Sequence, residues 1–380
     1  MVALLLCGAL VAGCASGSDG PRAGAGTSSG GAPPPDPSGG TARTPSAPPA
    51  RGAVTVLGET AKGLSSPWGL APLPDGDLLV GSRDRGTISR VAREGGAVEV
   101  VGEVTGVAPA GEGGLLGLAL SPSFAADRLV YAYFTTESDN RIARLRYDER
   151  RPAGQRLGAP DVVLRGIPKG FTHNGGRLAF GPDGMLYAGT GETGNRALAR
   201  DPRSLAGKIL RMTPDGRPAK GNPDAGSLVW SRGHRNVQGL AWDPEGRLWA
   251  SEFGQDTWDE LNLIEPGGDY GWPEVEGTAG RPGLRDPVAR WRTSEASPSG
   301  IAWANGSIWV AGLRGERLWR VPLAGTRAAA PPQPFLQGEY GRLRTVLAVG
   351  PEELLLVTSE TDGRGSPGPE DDRILRLTVR

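Results

Sequence analysis

Short apolar stretches alternate with tight polar turns along most of the chain, and this pattern predicts β-structure. The clearest unit is a Pro-Asp-Gly or Pro-Glu-Gly turn followed at once by a short strand of Leu, Tyr, Trp or Val. Glycine accepts the positive φ that tight turns between antiparallel strands require. Complete copies of the unit lie at residues 74–80, 182–188 and 244–250, and weaker copies at 121–134, 305–310 and 351–357.

Further apolar strands flank each of these six units. One precedes each turn, as in Leu116–Leu120, and another follows, as in Arg317–Val321. Successive turns are about 46 to 62 residues apart, which is the spacing of propeller blades rather than of helical repeats. No window has a 3.6-residue apolar stripe. The repeats predict an all-β fold, a six-bladed β-propeller of four-stranded antiparallel sheets, in preference to an irregular β-sandwich.

The N-terminus carries a targeting signal. Residues 1–11 form an apolar run too short to span a membrane, and small residues then lead to Cys14. The ending Leu-Val-Ala-Gly-Cys is typical of bacterial lipoproteins, so we expect a lipoprotein signal peptide at residues 1–13 and lipidation of Cys14. An ordinary secretory signal with a chance cysteine is the alternative.

Residues 15–52 contain no aromatic residue, valine, isoleucine or leucine, and are rich in Gly, Ser, Pro, Ala and Thr. Such a segment cannot bury enough surface to offset the entropy lost on ordering. We therefore expect residues 14–52 to be a lipidated, flexible tether and residues 53–380 to be the propeller domain. The domain is expected outside the cytoplasm, either lipid-anchored at the outer face of the cell membrane or in the periplasm. It would contact the membrane only through the anchor.

Charge and cysteine content exclude several classes of function. The chain has 42 basic and 42 acidic residues, which argues against bulk attraction to nucleic acid. Both cysteines, Cys7 and Cys14, precede the body, so the body has no thiol chemistry. The body also lacks a Gly-x-Gly-x-x-Gly motif opening a helix, a Gly-x-Ser-x-Gly motif and a Cys/His cluster. These absences argue against NAD, a serine nucleophile, zinc and haem.

The only two histidines lie in polar motifs just before the inner strands of successive blades. These motifs are residues 171–177, around His173, and residues 233–239, around His234 and Arg235. Equivalent blade positions place both motifs at the same end of the channel. Histidine is a base near neutral pH, whereas arginine keeps its proton and acts as an electrostatic clamp. The motifs suggest a redox or acyl-transfer site, while a structural role for either histidine stays open.

Two other groups of residues suggest ligands. Residues 251–262 and 267–273 are rich in carboxylate and carbonyl oxygens with turn glycines, which suits Ca²⁺, although the spacing is not that of an EF-hand. A solvated acidic turn is the alternative. Arg314, Arg342 and Arg344 in the late loops could hold an anion by paired hydrogen bonds, or could be surface charges.

In their order and spacing, these motifs resemble the pyrroloquinoline quinone (PQQ) dependent soluble glucose dehydrogenases. They are still more similar to the aldose sugar dehydrogenases grouped with them in the glucose/sorbosone dehydrogenase family. The resemblance runs from about Leu64 to Leu377. It rests on residues 111–117, 173–178, 233–236, 251–254, 267–273 and 341–344.

The resemblance implies oxidation of aldoses at C1 to lactones, with electrons passed to an external acceptor. His173 would be the base for the C1 hydroxyl, hydride would pass to the quinone, and Arg235 would stabilise the developing oxyanion. The implied cofactor contacts are Glu112, Arg235, Asn236, Arg314, Arg342 and Arg344. The carbonyls of Gly254 and Gln255 would hold Ca²⁺, and Glu260 and Tyr270 would form a second, structural Ca²⁺ site. Whether the chain forms a homodimer stays open.

Four positions depart from the family pattern. Glu112 and Thr193 stand where glutamine is usual, Thr172 where the glucose enzymes have aspartate, and Gln255 where proline is found. A carboxylate at position 112 could repel an anionic cofactor unless it is protonated or paired. An alternative is therefore a propeller that has lost PQQ and binds carbohydrate or protein without catalysis. A metal-dependent lactonase is a third hypothesis, which needs a ring of carboxylates around the channel.

Overall fold

The computed structural model describes residues 48–380, and in this part of the chain almost every regular element is a strand. The signal peptide, Cys14 and most of the tether predicted above lie outside the described residues.

A four-residue helix, α1 (Phe124–Asp127), and one 3₁₀ turn, Arg196–Ala199, interrupt the strands. No helix within residues 48–380 is both long and apolar enough to cross a bilayer. The strands are β1 (Val54–Ala61), β2 (Pro67–Pro72), β3 (Leu78–Ser82), β4 (Thr87–Val91), β5 (Val98–Glu103), β6 (Leu115–Leu120), β7 (Leu129–Thr135), β8 (Asn140–Arg146), β9 (Asp161–Ile167), β10 (Leu178–Phe180), β11 (Leu186–Gly189), β12 (Lys208–Met212), β13 (Val229–Arg232), β14 (Val237–Trp242), β15 (Leu248–Glu252), β16 (Trp258–Ile264), β17 (Ala289–Arg292), β18 (Pro298–Ala304), β19 (Ser307–Gly312), β20 (Arg317–Ala324), β21 (Arg327–Ala328), β22 (Gln333–Phe335), β23 (Leu343–Gly350), β24 (Glu353–Thr358) and β25 (Ile374–Val379).

These strands form six antiparallel sheets, which confirms the predicted six-bladed β-propeller. Blades 1 to 4 are β2–β5, β6–β9, β10–β13 and β14–β17, each in simple sequential order. Blade 5 is β18–β21, with β22 also paired to β20. The turns at residues 74–76, 182–184 and 244–246 join the first strand of a blade to its second, as the sequence pattern predicts.

Blade 6 joins the two ends of the described chain. It consists of β23, β24 and β25 with β1 added as the outermost strand. The register pairs Val54 with Val379 and Ala61 with Ile374. The ring of blades is therefore closed by backbone hydrogen bonds between its first and last strands.

The apolar core lies between neighbouring blades. Trp309 of blade 5 and Leu356 of blade 6, for example, belong to one cluster and are both fully buried. Burying a side chain of this size contributes about 1.5 to 3 kcal/mol relative to leaving it exposed. Packing between blades, rather than within a separate layer, therefore stabilises the ring.

The inner strands approach one another so closely that some positions admit only glycine. A Cβ atom on Gly69 of β2 would lie 2.4 Å from the carbonyl oxygen of Leu116 in β6. A Cβ on Gly117 would lie 2.2 Å from the carbonyl oxygen of Gly176, beside β10. These contacts narrow the channel and bring together the loops at one end of it.

Candidate active site

Two kinds of loop meet at that end of the channel. One kind leads from the outer strand of a blade to the inner strand of the next, and the other joins the second strand of a blade to its third. The first kind carries Glu112, His173, Arg235 and Arg342, and the second carries Arg83, Glu192, Gln255, Arg314 and Asp362.

His173 and Arg235 are in direct contact. The Nε2 atom of His173 lies 3.0 Å from Nη2 of Arg235, and its Nδ1 atom hydrogen-bonds to the buried carboxylate of Glu192. A carboxylate only accepts and a guanidinium only donates, so both partners require the same tautomer. Nδ1 therefore carries the proton and Nε2 presents a lone pair, as a general base must.

Glu112 holds the backbone of His173. His173 has a left-handed φ of 55°, and its N–H donates to Oε2 of Glu112 at 2.8 Å. The other oxygen of Glu112 forms an ion pair with Arg364 at 2.8 Å. The carboxylate at this departure from the family pattern is thus paired on both oxygens, and its charge is compensated.

Arg235 is fixed on several sides. Its Nε and Nη2 atoms donate to Oε1 of Gln255 at 3.1 and 2.8 Å, and Nη1 donates to the carbonyl of Phe253 at 3.2 Å. Burial lowers the pKa of Arg235, but its ordinary value is so high that it stays charged near neutral pH. The guanidinium is therefore a preorganised positive charge beside the base.

The two polar atoms of the Asn236 side chain differ in their hydrogen bonding. Its Oδ1 atom accepts the N–H of Gly175 at 2.9 Å, which fixes the loop just after His173. Its Nδ2 atom is buried and has no hydrogen-bond partner within residues 48–380. A buried donor without a partner costs free energy, so a ligand that accepts this hydrogen bond would be favoured.

A cavity of about 340 Å³ opens at this end of the channel. Two carboxylates, Glu112 and Asp362, face it, together with Trp68, Gln238, Phe253, Ser297 and Leu313. Five cationic side chains outnumber those carboxylates: Arg83, Arg314, Arg342, Arg344 and Arg364. The lining therefore favours a ligand that carries several negative charges.

Two of these arginines stabilise the ionised form of Asp362. Arg342 and Arg344 both donate to Oδ2 of Asp362, at 3.0 and 2.9 Å. Burial opposes the ionisation of Asp362, but Arg344 and Arg342 lower its pKa to about 2. Burial lowers the pKa of Arg344 to about 10, and burial with repulsion from Arg344 lowers that of Arg177 to about 9. Nε of Arg342 is buried and unpartnered within the described chain.

The residues expected to hold Ca²⁺ lie beside Arg235. Gly254 and Gln255 belong to the loop between β15 and β16, and their carbonyls accept no hydrogen bond from residues 48–380. Gly254, Glu260 and Tyr270 line one small cavity of about 10 Å³. The structure thus brings these three residues together.

The oxygens of Glu260 and Tyr270 beside this small cavity already have hydrogen-bond partners: Glu260 accepts from Asn262 and Gly277, and the Tyr270 hydroxyl accepts the N–H of Glu265. Burial and the neighbouring Glu252 raise the pKa of Glu260 to about 8, and Oδ1 of Asn262 is buried without a partner in the described chain. The hydroxyl of Tyr270 donates to the carbonyl of Leu263 at 2.6 Å. No three His, Cys, Asp or Glu side chains among the described residues converge as a metal site. A cation here would therefore depend on carbonyl oxygens and on water or ligand atoms as well.

His234 has a structural role. It is fully buried, its Nδ1 atom bonds to Glu252 and its Nε2 atom to Ser231, both at 2.8 Å. Its ring stacks on Tyr270 with centroids 4.6 Å apart. The ring therefore does not reach the arginine-lined cavity.

Sequence reasoning missed Glu192, although a signal was present. The two histidines occupy equivalent loops of successive blades. Each binds a glutamate at or just after the end of the second strand of the blade that its loop enters. The separations are 19 residues for His173 and Glu192, and 18 for His234 and Glu252. Aligning the two blades would have revealed the pair. The residues missed at the arginine-lined cavity, whose loops carry no such repeat, include Arg83, Asp362 and Arg364. Gln238 lies in the 233–239 motif but was not predicted to face the cavity.

Comparison with known proteins agrees with the fold and identifies the family. The family model described as "Glucose / Sorbosone dehydrogenase" matches residues 64–375. The PQQ-bound aldose sugar dehydrogenase of Streptomyces coelicolor is 68% identical, with a TM-score of 0.87 over 88% of this chain and 100% of that chain.

Two curated relatives extend the comparison. The aldose sugar dehydrogenase of Escherichia coli is 32% identical over 64% of this chain and 71% of its own length. The quinoprotein glucose dehydrogenase B of Acinetobacter calcoaceticus is 34% identical over 56% of this chain and 51% of its own length. The chain therefore belongs to the glucose/sorbosone dehydrogenase family.

Proposed function

We propose that this protein is a PQQ- and Ca²⁺-dependent dehydrogenase that oxidises aldose sugars at C1 to lactones and passes the electrons to an external acceptor. The observation that carries the proposal is the contact of His173 and Arg235 at the end of the channel that holds the arginine-lined cavity. The relative from S. coelicolor, 68% identical to this chain, is described as PQQ-bound. A tricarboxylate such as PQQ matches a cavity with excess positive charge.

His173 is the proposed base. Its Nε2 atom accepts the proton of the sugar C1 hydroxyl, and Glu192 then stabilises the imidazolium through Nδ1. PQQ, when bound, supplies the acceptor for the hydride from C1. Arg235 stays charged throughout and stabilises negative charge that develops beside the base. The sugar hydroxyl must share or displace the hydrogen bond between Nε2 and Arg235.

Three groups of residues would hold the cofactor and the metal. Arg314, Arg342 and Arg344 would pair with cofactor carboxylates, and Nδ2 of Asn236 would donate a hydrogen bond. The carbonyls of Gly254 and Gln255 would hold a Ca²⁺ that acts as a Lewis acid. A second Ca²⁺ would lie against Glu260 and Tyr270.

The main argument for a propeller that has lost PQQ was the carboxylate of Glu112. That carboxylate accepts the His173 N–H and pairs with Arg364, so its charge does not stand free in the cavity. This pairing favours the catalytic function over the non-catalytic alternative.

The decisive test is dye reduction by purified protein with glucose and a panel of other aldoses, with and without added PQQ and Ca²⁺. Turnover that requires both additions supports the proposal and defines the sugar range. No turnover, with no change in PQQ absorbance or in melting temperature, would refute it in favour of a cofactor-free binding propeller.

We also propose export and lipid attachment at Cys14, because the Leu-Val-Ala-Gly-Cys ending precedes a long polar segment. The test is membrane fractionation of cells that express the full chain or its Cys14→Ala variant. Wild-type protein should sediment with membranes and label with fatty acid, and the variant should do neither. Equal distribution of the two proteins would refute the anchor.

A further inference from the structure

One carboxylate oxygen organises the loop between β15 and β16. Oε1 of Glu276 accepts the backbone N–H groups of four consecutive residues, Gln255 to Trp258, at 2.8, 3.0, 2.8 and 2.9 Å. The N–H of the preceding residue, Gly254, donates to Asp259 at 2.9 Å. Every N–H of residues 254–258 is thus directed at a carboxylate.

This arrangement sets the direction of the carbonyl groups. In a trans peptide the C=O points opposite to the N–H of the same peptide unit. The carbonyl of Gly254 shares its unit with the N–H of Gln255, so it points away from Glu276. The same holds for the carbonyl of Gln255 and the N–H of Asp256. Both carbonyls are free of hydrogen bonds from residues 48–380 and are available to a cation.

The close approach of Glu276 also explains a glycine in the loop. A Cβ atom on Gly254 would lie 2.5 Å from Oε1 of Glu276 and 2.0 Å from the carbonyl oxygen of Trp258. No other residue fits there without displacing the carboxylate. Gly254 is therefore required for the loop to wrap Glu276 as well as for its own carbonyl.

The residue after Glu276 reaches the other proposed metal ligand. The N–H of Gly277 donates to Oε1 of Glu260 at 2.6 Å. Residues 276 and 277 thus hold both the carbonyl loop and the Glu260 carboxylate, although neither is among the metal ligands implied by the family.

We propose that Glu276 is the positioning residue that sets Ca²⁺ affinity, because it aims the carbonyls of Gly254 and Gln255. The inference rests on the proposed calcium site at those carbonyls. Partners behind metal ligands typically change metal affinity about 10- to 100-fold when they are removed. Glutamine at 276 would replace four charge-assisted hydrogen bonds with weaker neutral ones. Aspartate would keep the charge but would be one methylene too short to reach all four N–H groups.

The experiment is a Ca²⁺ titration of the PQQ-loaded full chain by calorimetry, with wild type, Glu276→Gln, Glu276→Asp and the control Glu274→Gln. Glu274 is exposed, lies two residues away and pairs with Arg200 rather than with the loop. The same proteins are compared in melting temperature without Ca²⁺ and in turnover at rising Ca²⁺. This separates a metal-binding defect from a folding defect.

We expect both Glu276 variants to bind Ca²⁺ about tenfold or more weakly than wild type, with Glu274→Gln unchanged. Turnover of the variants should recover at high Ca²⁺, because the defect is in binding. Variants that bind Ca²⁺ as wild type does would overturn the inference while leaving the proposed function intact. Wild-type Ca²⁺ affinity in Glu276→Asp alone would also overturn the inference. The charge at position 276, rather than its reach to the four N–H groups, would then determine the affinity for Ca²⁺. A wild type that binds PQQ and not Ca²⁺ would overturn the calcium site and the inference together.

Discussion

One side-chain oxygen of Gln255 accepts two hydrogen bonds from Arg235, at 2.8 Å from Nη2 and 3.1 Å from Nε. The same Nη2 atom lies 3.0 Å from Nε2 of His173. Gln255 therefore fixes the guanidinium against the base, while its backbone belongs to the proposed calcium loop. A residue that departs from the family's proline thus links the two halves of the site.

Replacing Gln255 by alanine removes these bonds and leaves the backbone carbonyl in place. We expect kcat to fall about tenfold, the effect of about 1.4 kcal/mol, because Arg235 loses its fixed orientation. The affinity for Ca²⁺ should stay close to that of wild type. Steady-state dye reduction and Ca²⁺ titration test this prediction, and an unchanged kcat would contradict the role of the side chain.

The two histidines offer a matched comparison. His173→Ala should lower kcat by about 10²- to 10⁴-fold, as expected for loss of a general base, while PQQ still binds. His234→Ala should instead lower the melting temperature, because it removes one of three hydrogen bonds to the buried Glu252, which keeps only those from the Arg235 N–H and Asn262. Turnover and thermal unfolding of both variants test the assignment. Normal sugar oxidation by His173→Ala would remove His173 as the base.

Glu192 should act through the orientation of His173. In Glu192→Gln the amide can donate to Nδ1, which would move the ring proton to Nε2 and block proton abstraction. We expect a fall in kcat with little change in KM or in PQQ affinity. Glu192→Asp, which keeps an acceptor, should recover part of the activity. A glutamine variant as active as wild type would show that the tautomer is not set by this contact.

Arg314 tests the electrostatics of the cavity without disturbing the core. It is exposed and lines the cavity, so Arg314→Gln should leave the melting temperature of the PQQ-free protein unchanged. The variant should bind PQQ about tenfold more weakly, since a charge-assisted bond to a carboxylate is lost. The control is Arg327→Gln, in the exposed strand β21. Calorimetric titration with PQQ distinguishes the two, and equal affinities would exclude Arg314 as a contact.

The lowered pKa of Asp362 predicts how the free energy of unfolding depends on pH. Its pKa is lowered from 3.8 to about 2, so its contribution is present above about pH 4 and is lost as the pH falls through about 2. The shift corresponds to about 2 kcal/mol of the free energy of unfolding at neutral pH. Urea unfolding of wild type and Asp362→Asn without PQQ should therefore differ most at pH 7 and about half as much at pH 3. A difference that grows on acidification would contradict the assignment.

The sequence was sufficient to predict the blades because their turns are local. The Pro-Asp-Gly turn and the strand after it both lie within residues 74–80, and they reappear as the hairpin of β2 and β3. Outer strands were harder, since β17 (Ala289–Arg292) alternates arginine with apolar residues and has no turn signal of its own. Closure of the ring was not predicted, because pairing of β1 with β25 leaves no local pattern.

The candidate site was likewise predicted only in part. His173 and Arg235 were found because rare or charged residues recur at equivalent blade positions. Asp362 and Arg364 were missed because loops from blade 6 bring them to the cavity through the closed ring. Arg364 pairs with Glu112 of a different blade, so only the fold reveals that pair. Arg344 lies 18 residues before Asp362 in the same blade, but no recurring motif marks the two.

Ring closure has a consequence for biogenesis. β1 finds its partner strand only after residues 374–379 have been synthesised, since Val54 pairs with Val379. Contacts of such sequence separation form late and fold slowly. The nascent polypeptide thus cannot complete its propeller before β25 emerges. For a protein exported as we propose, the ring would close only once β25 is available on the far side of the membrane.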